Sequence, residues 1–293
     1  RPAAAAAAAT TPWAQPGTLG LDAVRNARDL SCAAPGLVVP GRAFRSASMA
    51  DGSTADASAV RSRLGIRTLL DLRSADECAE DGPAPVHAAF APAAAATAPP
   101  TPGARHVVPL IDTGRFQEAL FWRAPLNAKA AALLYGIYDG EAQRRVMVGE
   151  VNRGGLVMLN EVMLATAGAE VGAAMRVLST CKDHGAVAFY CKVGKDRTGL
   201  LAALALSVCG ASDEQIVEDY HLSDGVDRMA LGGGRLEKQG IDRSKFDRAP
   251  REVMAHVLGH VRSEYGGVGR YLEDRAGFGP EDQRGLAAAL CED

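Results

Sequence analysis

The chain has 293 residues, of which 47% are hydrophobic and 23% charged, and its formal net charge is −3. That balance supports a sizeable core and suits one large domain or two small ones. It excludes the strongly basic field of a nucleic-acid-binding protein, and no run of about 18 apolar residues is present to span a membrane.

Residues 1–20 are rich in Ala, Pro and Thr and hold no acidic residue, which fits both the remnant of an organelle transit peptide and an unstructured linker. Residues 55–64 read as a helix and 66–72 as a buried strand. The Ala- and Pro-dominated stretch 83–103 is expected to be an extended surface loop inserted into the domain. Residues 106–110 form a second short strand, and 118–138 and 156–165 carry helical patterns within a helical insertion at about 114–168. An amphipathic helix over 169–182 stops at Gly185 and feeds the apolar strand Ala186–Tyr190. Helices follow at 200–208, 213–222, Arg251–Tyr265 and 281–290. Strands alternating with helices predict an α/β fold, a central, mostly parallel sheet flanked by helices, with ligand at the carboxyl ends of the strands.

The densest chemistry lies between that strand and the next helix, in Tyr190-Cys191-Lys192-Val193-Gly194-Lys195-Asp196-Arg197-Thr198-Gly199. Strand, glycine-containing loop and helix start bring successive backbone N–H groups and a helix dipole onto one anion. The same field favours a thiolate at Cys191, and Arg197 can grip a phosphoryl group with two N–H donors. Gly194 permits the tight turn, Lys192 and Lys195 add positive charge, the amide of Val193 completes the cradle, and Thr198 can hydrogen-bond the thiolate. The residues therefore propose thiolate attack on a phosphate ester, then hydrolysis of a phosphocysteine.

These residues resemble the cysteine-dependent tyrosine phosphatase superfamily, in the branch whose loop reads Cys-x-x-Gly-Lys-Asp-Arg-Thr-Gly and which includes bacterial phosphatases acting on phosphotyrosine and phosphoinositides. Asn26-Ala27-Arg28-Asp29-Leu30, Phe44-Arg45-Ser46, Leu64-Gly65-Ile66, Asp71-Leu72-Arg73-Ser74, Glu218-Asp219-Tyr220 and Tyr265-Gly266-Gly267 match further landmarks of the branch in order. The resemblance implies one phosphatase-like domain over 21–293 and a phosphorylated protein or phosphoinositide as substrate. It also implies catalysis without metal or organic cofactor and Asp196 as the general acid. Asp112, after a short strand, is the rival acid, and a loop-capping aspartate explains it equally well. The family carries histidine before the cysteine; this chain has Tyr190, which donates a hydrogen bond but brings no charge. The alternative is a phosphatase-like module that binds phosphorylated ligands or partners with little turnover.

The other candidates read as structure. Arg28, Asp29, Asp71 and Arg73 look like charge pairs that fix loops. His256 and His260 stand at i, i+4, but HVLGH lacks the glutamate of HExxH and no third donor is near in sequence. Leu231-Gly232-Gly233-Gly234 follows no strand and reads as a loop. The six cysteines show no CxxC pair, so reduced thiols and an intracellular setting, cytoplasmic or organellar, are expected. Cys181, ten residues before Cys191, is either a helix-buried bystander or a disulfide partner on oxidation.

Overall fold

The computed structural model describes residues 19–93, 100–226 and 240–292. The expected loop at Leu231-Gly232-Gly233-Gly234 lies outside them, as do residues 1–18 and the centre of the low-complexity stretch. Six strands form one sheet: β1 (Arg28–Asp29), β2 (Ala43–Ser46), β3 (Ile66–Asp71), β4 (Ala91–Pro92), β5 (Ala104–Val107) and β6 (Ala186–Tyr190). Their order is β1-β2-β6-β3-β5-β4, with only the β1–β2 pair antiparallel. The central strand β6 has every residue buried, as its unbroken apolar run requires of a parallel strand covered on both faces.

Among the described residues the helices, in chain order, are α1 (Thr54–Ser58), α2 (Ala75–Ala79), α3 (Pro85–Ala88), α4 (Thr113–Arg123), α5 (Leu126–Tyr138), α6 (Gly140–Thr166), α7 (Gly168–Leu178), α8 (Cys181–His184), α9 (Asp196–Val208), α10 (Asp213–His221), α11 (Arg251–Tyr265), α12 (Val268–Asp274) and α13 (Pro280–Cys291). They build a core on each face of the sheet. The larger joins α7, α9 and α11–α13 to Val187 and Phe189 of β6; the smaller gathers Phe44, Leu69 and Val86 around Ala186, Ala188 and Tyr190. The split follows the period-two alternation of β6, and it sends Cys191 and Tyr190 to opposite faces.

Several elements differ from expectation for local reasons. The helix expected over 118–138 is two, because Pro125 has no N–H to donate and holds Ala124 in an extended conformation at ψ 147°. The pattern at 156–165 is the second half of the longer α6, which kinks at Gly155 with φ 56°. The helix expected over 169–182 breaks after Leu178, and the one over 55–64 passes from α1 into a π-turn at Ala59–Arg63. Within 83–103, α3 and β4 replace a plain extended loop, because Val86 and Phe90 are apolar enough to be pulled into the smaller core.

Candidate active site

Strand β6 ends at Tyr190 and α9 begins at Asp196, so residues 191–195 turn the chain over the carboxyl end of the sheet. Gly194 makes the turn possible. Its φ is +72°, and a Cβ there would lie 2.3 Å from the Ser46 carbonyl oxygen, so no other residue fits. The Gly194 N–H donates to Cys191 Sγ at 3.3 Å. Burial pushes the Cys191 thiol up, but the Arg197 charge and the Thr198 hydroxyl and amide outweigh it and hold the thiol below its ordinary value. The Thr198 hydroxyl is buried with no hydrogen-bond partner among the described residues, which leaves it for the thiolate.

The loop is braced from behind by a network of buried polar groups. Asn26, in the left-handed region at φ 52°, donates from Nδ2 to the carbonyls of Val193 at 3.1 Å and Gly194 at 3.0 Å. Arg45 Nη2 donates to the Gly194 carbonyl at 2.9 Å, and its Nη1 pairs with Asp219 Oδ2. Arg28 Nε donates to Asp219 Oδ1 at 2.9 Å, and Arg28 Nη1 holds Asn26 Oδ1 at 2.6 Å. Two arginines share one carboxylate here, leaving one positive charge in excess in a region closed to water. A thiolate at Cys191 neutralises it, so the brace itself favours ionisation of the nucleophile. Arg28, expected as one of a set of paired charges, finds its partner at long range in Asp219. Asp29 instead accepts from the Ser31 and Gly41 amides at 2.9 Å and 2.6 Å.

Arg197 is gripped by Glu77 of α2 through Nη1 at 2.5 Å and Nη2 at 2.8 Å, which fixes the plane of the guanidinium. Against the upward push of burial, Arg197 brings the Glu77 carboxyl down to about 2. Glu77 takes two of the five N–H donors and the Leu72 carbonyl a third at 3.5 Å, which leaves the other two to face a phosphoryl group. Lys192 is half-buried, and its carbonyl accepts the Ser48 amide at 3.2 Å. Val193 is buried against Ala47.

Lys195 is placed differently from its expected role beside the substrate. Its ammonium is buried, donates to the carbonyls of Phe246 and, at 2.7 Å, Arg248, and lies 3.6 Å from Asp196 Oδ1. A chain folding back at 246–248 offers carbonyls that the lysine satisfies, so this charge braces the loop from within. The Asp196 carboxylate also accepts from the Tyr220 hydroxyl at 3.4 Å. Asp112 caps α4: its Oδ1 accepts the Arg115 amide at 2.8 Å, and the side chain is half exposed.

Tyr190 faces away from the thiol, into the smaller core. Its hydroxyl meets His87 Nε2 at 2.9 Å, and the two rings stack with centroids 5.8 Å apart. Burial, with Arg105 nearby, lowers His87 to about 4, so the imidazole is neutral near pH 7 and can accept a hydrogen bond from the tyrosine hydroxyl. Next to it Asp71 binds Arg73 at 2.8 Å and Arg105 at 2.7 Å, and these bonds hold its carboxyl at about 2 despite burial. Cys181 donates to the Ala289 carbonyl at 3.4 Å, and burial pushes its thiol up to about 11.

The sequence reading missed Asn26, Arg45, Asp219, Glu77 and His87 as parts of the site. The first three lay within quoted landmarks, and their role depends on partners about 150 residues or more away along the chain.

The chain matches the model of the tyrosine phosphatase family over residues 19–292. It is 27% identical over 276 residues to the triple specificity protein phosphatase PtpB of Mycobacterium tuberculosis, an alignment covering 85% of this chain and 90% of that protein. It is 34% identical over 104 residues to a tyrosine-protein phosphatase of Nostoc commune, covering 31% of this chain and 35% of that one.

Proposed function

The chain belongs to the tyrosine phosphatase family, and on that premise we propose that it hydrolyses phosphate monoesters through a phosphocysteine, with phosphotyrosine as its first substrate class. The observation that carries this reading is the lowered thiol of Cys191, held over an excess buried positive charge and beside Arg197. In the first half-reaction the thiolate electron pair attacks phosphorus, the S–P bond forms and the bond to the ester oxygen breaks. Asp196 gives its proton to that departing oxygen. In the second, water attacks phosphorus and passes a proton to Asp196, and the S–P bond breaks to return the thiolate and inorganic phosphate. Arg197 and the loop amides supply donors where charge gathers on the phosphoryl oxygens. The engagement of Asp112 as a helix cap favours Asp196 as the acid.

Phosphoinositides are the second substrate class, and two observations bear on them in opposite directions. Of the two loop lysines, the withdrawal of Lys195 into the protein leaves Lys192 to meet a second phosphate. The exposed apolar side chains of α5, Leu126, Leu133 and Ile137 among them, suit a substrate presented at a lipid surface. The reading of a binding module with little turnover has the lowered thiol against it, since holding a phosphate needs no nucleophile.

Release of phosphate from an aryl phosphate by this chain, set against Cys191→Ser, tests the reaction. Turnover is expected to fall by ~10⁴-fold or more in the variant, and equal rates would overturn it. Lys192→Ala, assayed on phosphotyrosine peptide and on phosphoinositide, is expected to slow the lipid more. An equal drop removes the case for a second phosphate contact.

A further inference from the structure

The pair His256 and His260 acquires in three dimensions the third donor that its own stretch of sequence lacks. Glu161, on the second half of α6, faces both histidines of α11. His256 Nε2 stands 2.8 Å and His260 Nδ1 3.8 Å from the same oxygen, Glu161 Oε1. One ligand atom from each of the three lies within 4.8 Å of the others, and the two imidazoles are nearly parallel, 11° apart. The second carboxylate oxygen, Oε2, is held by Arg123 Nη1 at 2.6 Å, which orients the carboxylate and leaves Oε1 for the histidines.

His260 is the least explained residue of the three. Its Nδ1 is beyond hydrogen-bond reach of Glu161, and its Nε2 is buried with no partner among the described residues. A partly buried imidazole with a hydrogen bond at neither nitrogen costs free energy unless something else binds it. A metal ion between the three residues takes the His260 Nδ1 lone pair that faces Glu161.

We propose that Glu161, His256 and His260 bind one divalent ion of the borderline class, Zn²⁺ or Co²⁺, which ties α6 to α11 and, through Arg123, to α4. Two imidazoles and one carboxylate are the donor set such ions favour, with water completing a tetrahedron. Bonds of ~2.1 Å place the donors ~3.4 Å apart, so the present arrangement closes onto an ion by side-chain rotation of ~1 Å. The Arg123 guanidinium repels a dication across the carboxylate, and it sets the affinity below that of a site without it.

The test is titration of the full chain with Co²⁺, followed by visible absorption and thermal melting, on the parent chain and on His256→Ala, His260→Ala and Arg123→Gln. The parent is expected to bind one ion with weak d–d bands and no sulfur-to-metal charge-transfer band, and to melt higher with the ion than without. Removing either histidine is expected to weaken binding by ~30-fold or more, since even indirect supporting partners are worth 10–100-fold. Arg123→Gln is expected to tighten it. The half-exposed His256 can be replaced without opening the core, and melting without metal reports whether each variant is folded. No binding at ~100 μM Co²⁺, where even a weak site fills, would overturn the proposal. So would a thiolate band on the bound ion, or affinity unchanged in both histidine variants.

Discussion

Beneath the cysteine loop, Arg28, Arg45 and Asp219 lie fully inside the protein, whereas on α5 Leu126, Ile137 and Tyr138 stand 83%, 72% and 81% exposed. The first region puts charge where apolar residues belong, and the second puts apolar residues where charge belongs. Each departure carries a cost in stability that an ordinary domain avoids. They differ in how they are held. The buried charges are fixed by hydrogen bonds of 2.6–3.1 Å that converge on two loop carbonyls. Helices α4–α6 are anchored to α7 by the Arg115–Glu170 ion pair and to one another by Arg123–Glu161, and the outer face of α5 has no partner among the described residues. The contrast teaches that the loop is held from many sides, and that α5 offers an exposed apolar surface whose chemistry concerns what approaches.

The comparison breaks first at Gly194. An alanine there must leave a φ of +72° and clear the Ser46 carbonyl, which a Cβ would meet at 2.3 Å. Gly194→Ala is expected to cost more than ~3 kcal/mol and to lower turnover at least ~100-fold, measured by denaturant melting and aryl phosphate hydrolysis. A variant as active as the parent would mean that the loop is not rigid. Next, Asp219→Asn removes the one carboxylate between two buried arginines. A loss of ~3–5 kcal/mol is expected, with the thiol of Cys191 becoming more acidic still because a further positive charge is uncompensated. A smaller effect is expected on the other face of β6. Tyr190→Phe deletes the bond to His87 and is expected to cost ~1 kcal/mol, with turnover changed by less than ~3-fold, because the ring points away from the sulfur. The smallest change in stability belongs to α5. Leu126→Ser with Ile137→Ser is expected to stay within ~0.5 kcal/mol of the parent and to leave soluble substrates untouched. Slower hydrolysis of vesicle-borne phosphoinositide alone would sharpen the distinction between the two regions.

The same contrast governs what the sequence disclosed. The strand, loop and α9 were legible because they are contiguous and their apolar pattern changes period at the cysteine. The side of the sheet that Tyr190 takes was also implicit in that alternation. β2 was not legible as a strand: Ala43-Phe44-Arg45-Ser46 has a buried arginine in its middle, and what makes that burial tolerable is Asp219, 174 residues further on. Lys195 showed its charge but not its direction, which is set by carbonyls at 246 and 248. Pro125 did signal the break between α4 and α5, and the apolar run across it masked the signal. Glu161 stands 95 residues from His256, a separation that no local pattern bridges.

The most direct test is alkylation of the native chain by iodoacetamide at a series of pH values, with each cysteine followed separately. Cys32, Cys78 and Cys181 are pushed up to about 11 by burial, whereas Cys191 is held below the ordinary thiol value by Arg197 and Thr198. A lowered folded value means that the thiolate, and the stability it brings, persist above it and are lost as pH falls through it. Labelling of Cys191 is therefore expected to outpace the other cysteines at neutral pH, to persist to lower pH than theirs, and to be blocked by inorganic phosphate or vanadate. Labelling of Cys191 that rises only in alkaline solution, in step with the rest, would contradict the account.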